Sequence, residues 1–88
     1  MSVHTSHPDI IKRLKRADGH LKSIIAMLEE GRPCLELAQQ LQAVESAVAN
    51  AKKVLVHDHI DHCLAHAVKG GAAAADTVRE FKEITKYL

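Results

Sequence analysis

The chain is nearly free of aromatic side chains: it has no tryptophan, and Phe81 and Tyr87 are its only rings. That leaves no platform on which single-stranded bases could stack. No apolar run approaches the roughly 20 residues needed to span a bilayer. The opening MSVHTSHPD has neither the charged nor the apolar region of a secretory leader. A cytoplasmic protein with no membrane partner is expected. Cysteine is limited to Cys34 and Cys63, and in a reducing compartment two thiols point to metal or redox chemistry rather than a structural disulfide. There is no glycine-rich phosphate loop and no nucleophile elbow. Asp58 and Asp61 sit beside histidines, but a seam-facing site leaves little room for a substrate, so no enzyme is expected.

What is present is Ala, Leu, Ile and Val, in a chain that is 47% hydrophobic. Its 88 residues make one domain spanning 1–88, with residues 1–7 as a mobile tail. A chain of this size is below the point where a single core is comfortably stable alone, and a core without rings suits close helix packing and oligomerisation. The periodicity predicts an all-α protomer of three helices. The first starts near Pro8, capped by Ser6 or His7, with Asp9 at its positive end. Its apolar residues Ile10, Leu14, Ala17, Leu21, Ile24 and Leu28 alternate steps of four and three, a coiled-coil seam that Ile11 and Ile25 widen. Gly31 stops it and Pro33 opens a second, long helix over about 33–67. There Cys34, Leu37, Leu41, Val44, Val48, Ala51 and Leu55 repeat the same steps. Gly70-Gly71 breaks that helix, and a third follows over about 73–87 with Val78, Phe81 and Ile84 as its buried positions.

His59 and Cys63 are four residues apart, so on a helix they leave one face, one above the other. Cys34 precedes His59 by 25 residues in the same helix, an axial distance of about 37 Å. One chain cannot close all three around one ion, whereas two antiparallel copies can. The midpoint falls near Ala47 and Val48, inside a stretch of small residues (Ala43, Ser46, Ala47, Ala49, Asn50, Ala51) where two helix backbones can approach closely. Two thiolates and an imidazole suit Cu(I), Zn(II), Ni(II) or Co(II). His62 and His66 form another i,i+4 pair, better placed to orient the ligands than to bind. His4 and His7 could fold over as a fourth ligand. The bland alternative makes both thiols small buried hydrophobes and the histidines solvated.

The net charge of +1 conceals a gradient. Residues 10–28 carry Lys12, Arg13, Lys15, Arg16 and Lys22 against Asp18 alone, a local +4, whereas 33–88 sums to −1. Such a run is often only a solvated face. Multiplied in an oligomer, and extended by Lys52 and Lys53, it becomes a surface for double-stranded DNA. No short recognition helix follows a tight turn, so binding would rest on shape and charge.

The run Ile11-Lys12-Arg13-Leu14, then Gly19-His20-Leu21, Met27-Leu28-Glu29, Cys34, Gln39-Gln40-Leu41, Ala43-Val44 and His59 with Cys63 resembles the CsoR/RcnR/FrmR repressors. The resemblance covers residues 8–88. The segments SHPDIIKRLKRADGHL and EFKEITKYL are most similar to repressors associated with nickel resistance. It implies an antiparallel four-helix-bundle dimer and a dimer of dimers that binds operator DNA in the apo state. An inducer at the intersubunit site then releases the DNA and turns on efflux or detoxification. Cys34 of one subunit with His59 and Cys63 of the other match the ligand positions, and Lys12, Arg13 and Arg16 the phosphate-contacting face.

The same resemblance frames the inducer. The Cys/His/Cys set matches the family's Cu(I) sensors, but these tend to have Tyr where Pro33 stands here. They also use an acid of the third helix, a place Glu80 can fill behind the ligands. The nickel sensors add a nitrogen ligand from near the N-terminus, which His4 or His7 can supply, and square-planar nitrogen–sulfur ligation suits Ni(II). Ni(II) is favoured, with Cu(I) next and about one ion per chain. A formaldehyde sensor would need Pro at the place of Ser2, and a persulfide sensor would not need His59. A metal-storage protein or metallochaperone without DNA binding is the rival of another class, motivated by seven histidines and two cysteines in 88 residues.

Overall fold

A computed structural model describes residues 7–69 and 72–88, apart from the side chains of 66–69 and 72–74. It has three α-helices, α1 (His7–Glu29), α2 (Cys34–Lys69) and α3 (Ala72–Ile84), and a closing 3₁₀ turn over Thr85–Tyr87. No strand occurs among the described residues, and the all-α, three-helix expectation holds. His7 is already helical rather than part of a tail. The expected break at Gly70-Gly71 lies outside the described residues.

Two compact units divide the chain. One is Pro8–Lys52, and the other is Lys53–Leu88 together with His7, so α2 contributes to both. In the first, Ile24, Leu37 and Val44 form a core on which Met27 packs. Ile10, Ala17 and Ala51 are buried as well. The buried positions therefore fall at every seventh residue, 10, 17 and 24 on α1 and 37, 44 and 51 on α2. The alternate seam residues are left out: Leu14, Leu21, Leu41 and Val48 are 41–45% exposed, and Leu28 is 56% exposed. Half of each predicted seam closes α1 on α2 within the chain, and half faces outward. Two helices have one line of contact, so a stripe twice that wide cannot be covered by a single neighbour.

The α1–α2 turn is a Schellman motif. The Arg32 N–H donates to the Met27 carbonyl and the Gly31 N–H to that of Leu28, each at 3.1 Å. Gly31 occupies the left-handed region with φ +74°, which a side chain disfavours. Pro33 precedes the first helical residue rather than being it, and its carbonyl accepts from Leu37 N–H at 3.1 Å. Gly31→Ala is expected to destabilise the chain by about 1 kcal/mol, through backbone conformation alone because nothing lies within 4 Å of an added Cβ. Chemical denaturation checks this.

In the second unit, Val56 and Cys63 are the buried positions of α2. On α3, Phe81 and Ile84 are half-buried as expected, but Val78 is 44% exposed. The inner stripe runs through Thr77, Phe81, Ile84 and Thr85 instead. These positions lie four, seven and eight residues on from Thr77, whereas Val78 is turned by about 100°. Among the described residues no helix is long and apolar enough to cross a membrane.

Candidate metal centre and basic helix face

The second half of α2 places His59 and Cys63 one turn apart, and α3 brings Glu80 to them. One ligand atom from each of His59, Cys63 and Glu80 lies within 4.8 Å of the others. His59 Nε2 is 3.8 Å from Glu80 Oε1, too long for a hydrogen bond. Ligand atoms around a tetrahedral ion at 2.0–2.3 Å sit about 3.5 Å apart, so only a small contraction would give all three a common ion. Cys63 is 1% exposed and His59 largely enclosed, while Glu80 lies open to water. Burial pushes the Cys63 thiol above its ordinary value, and the Glu80 carboxylate raises it further. A thiolate is therefore disfavoured there until a cation compensates it. Sulfur, nitrogen and oxygen donors together accept borderline ions.

The remaining predicted ligands are not in this cluster. Cys34 is the first residue of α2, exposed and with a free thiol. His7 opens α1 on the surface, in the same compact unit as the cluster. His4 lies outside the described residues, as does the side chain of His66. His62 is half-buried next to Cys63 but is not a member. Glu80, expected behind the ligands, lies in the same 4.8 Å cluster as His59 and Cys63.

The predicted DNA-contacting residues Lys12, Arg13, Lys15, Arg16, Lys22, Lys52 and Lys53 are all exposed. Arg13 pairs with Asp9 at 2.7 Å and Lys22 with Asp18 at 3.1 Å. Exposed i,i+4 pairs of this kind are worth about 0.3–0.5 kcal/mol and are readily exchanged for a stronger anion. Among the described residues the other five make no ion pair. Sequence reasoning gave no role to a notch of about 260 Å³ lined by Arg13, Arg16, Ala17 and His20 of α1 and Ala47 and Asn50 of α2. His20 Nε2 lies 2.5 Å from Gln40 Oε1, joining two of the segments that carried the family resemblance. The spacing of Arg13, Arg16 and His20 on one helical face was the available signal. Their convergence on Asn50 needed the α1–α2 packing.

A helical chain with a basic first helix and a sulfur–nitrogen–oxygen cluster at the other end of its sequence has the parts of a ligand-responsive DNA-binding regulator. A family model described as metal-sensitive transcriptional repressor matches residues 6–87, and the chain belongs to that family. It is a family of regulators, not enzymes. The copper-sensing transcriptional repressor CsoR of Bacillus subtilis (strain 168) is 38% identical over 80 residues, which are 88% of this chain and 79% of that protein. CsoR of Mycobacterium ulcerans (strain Agy99) is 42% identical over 77 residues, 88% of this chain and 65% of its own length. The solved structure of the nickel-responsive transcriptional regulator InrS matches with a TM-score of 0.83 at 28% identity, covering 100% of this chain and 99% of that one.

Proposed function

We propose that the chain represses a metal-efflux gene, binding its operator as an apo-tetramer and releasing it when a transition-metal ion enters an intersubunit site. The ligands are Cys34 from one subunit and His59 and Cys63 from the other, with Glu80 beside them. The observation that carries this reading is the His59/Cys63/Glu80 cluster, which gathers three donor atoms within 4.8 Å of one another. The open half-seam of Leu14, Leu21, Leu41 and Val48 supports a second copy. Burying the 41–45% of each that is still exposed contributes about 1 kcal/mol per residue.

Ni(II) remains favoured over Cu(I). His7 shares the compact unit of the cluster and supplies the nitrogen that a four-coordinate N/S site needs. An anaerobic titration of the reduced apo-protein with each ion tests it. Nickel should saturate near one per chain, with thiolate charge-transfer and planar d–d bands, and should release a labelled upstream duplex. Octahedral nickel beside tight one-per-chain Cu(I) would make it a copper sensor, and salt-insensitive or absent duplex binding would sink the repressor reading.

The raised Cys63 thiol fixes the sign of the pH dependence. It is protonated at neutral pH, and the ion binds the thiolate, so binding expels that proton. Apparent metal affinity should rise by about tenfold per pH unit for this thiol, below its raised value. Chelator competition at two pH values, with proton release read in weak buffer, checks it.

A further inference from the structure

The notch between α1 and α2 is not explained by a broadly basic helix. Its lining carries two guanidinium groups, an imidazole and a primary amide, and no acid. Asp9 reaches it only through its pair with Arg13. The floor is alanine from both helices, Ala17 and Ala47, so the groups surround a space instead of filling it. At about 260 Å³ it is far larger than the roughly 30 Å³ share of one water in the liquid. Gln40 holds the His20 ring at 2.5 Å, which fixes one edge of the notch.

Its position also separates it from the apolar faces. Going round α1 at about 100° per residue, Arg13, Arg16 and His20 fall on one side of the buried line Ile10–Ala17–Ile24. Leu14 and Leu21 fall on the other. On α2 the line Leu37–Val44–Ala51 likewise separates Ala47 and Asn50 from Leu41 and Val48. A second copy covering the leucines would leave the notch facing away from that contact.

We infer that this notch seats one phosphodiester oxyanion of the bound duplex, with Arg16, Arg13 and Asn50 as the donors and the His20 ring, held by Gln40, closing one edge of the seat. This rests on the DNA-binding reading above and adds His20, Gln40 and Asn50, which a charge argument does not select. Arg16 supplies the planar fork that matches two phosphate oxygens. Arg13 exchanges Asp9 for the phosphate at little loss. Lys12 and Lys15 leave α1 on other sides and act only as diffuse charge.

The test measures duplex affinity of the apo-protein as a function of salt, with thermal unfolding of every variant as a control. Arg16→Ala should weaken binding about tenfold and reduce the salt slope by about one phosphate. Ala47→Leu changes no charge at an exposed helical position and plugs the notch. It should weaken binding severalfold, whereas a purely diffuse basic face would leave it unchanged. His20→Ala and Gln40→Ala should each weaken binding, and the double variant should be no weaker than His20→Ala, because Gln40 acts through the ring. Tight wild-type binding that is indifferent to Ala47→Leu and His20→Ala would overturn the seat and leave the repressor reading standing. Absence of wild-type binding would overturn both. Inorganic phosphate that stabilises the wild type at micromolar concentration, but not Arg16→Ala, would make the ligand a free ion and overturn the duplex assignment.

Discussion

Cys63→Ala is expected to remove tight binding of one metal ion per chain and to lock the protein on its operator. A structural zinc site is worth about 10–16 kcal/mol over its ligand set, so one lost thiolate costs about 3 kcal/mol, a hundredfold or more in affinity. The side chain is small and buried, so the apo-fold should lose only about 1 kcal/mol, and duplex binding without metal should be unchanged. The measured pair is metal affinity by chelator competition and metal-induced release of a labelled duplex. Glu80→Gln provides the scale. It keeps the shape and removes the charge that helps raise the Cys63 thiol, and a group supporting a metal site typically contributes 10–100-fold. A Glu80 effect equal to that of Cys63 would make the carboxylate a ligand in its own right. Unaltered metal binding in Cys63→Ala would move the site away from this cluster.

Leu41→Glu is expected to convert the assembly to monomers and, with it, to abolish both duplex binding and the complete metal site. In the single chain Leu41 is 45% exposed, so a carboxylate there remains solvated and the α1–α2 core is untouched. Across a bundle interface the same carboxylate would be buried without a partner, an expense of about 3–5 kcal/mol per copy. A symmetric interface counts it twice. Sedimentation of wild type and variant reads the assembly directly, and circular dichroism reports how much helix the monomer keeps. If the wild type itself sediments as a monomer, a site shared between subunits fails, and Cys34 is then a surface thiol. Val48→Glu, about two helical turns further along the same open line, should reproduce the result.

The helices were legible because their signals are local. Asp9 and Pro8, the Gly31 turn and steps of three and four each act within a few residues, and all three helices lie where these signals put them. On α3, Phe81 and Ile84 were placed correctly and Val78 was not. Val78 is more apolar than Thr77, but contact is chosen by the direction in which α3 meets its neighbour. The seam was read correctly as apolar. Which half of it closes within the chain was not legible, because both halves are apolar and repeat at the same spacing.

At the candidate centre the i,i+4 spacing alone sets His59 beside Cys63, since a helix puts such residues on one face. Glu80 follows 17 residues after Cys63, on α3 rather than α2, and the periodicity of one helix does not reach the other. Only the packing of α3 brings its carboxylate to the pair, where its charge adds to the burial that raises the Cys63 thiol. The basic charge of α1 is likewise a property of composition, while the notch at Arg13, Arg16, His20 and Asn50 exists because Ala17 and Ala47 face each other across two helices. The sequence by itself determined the helices, the His59/Cys63 pair and the charge gradient, because backbone periodicity and side-chain charge need no partner. Tertiary structure decided which apolar residues remain open, where Glu80 stands and which cations converge, because those depend on the rotation of one helix against another.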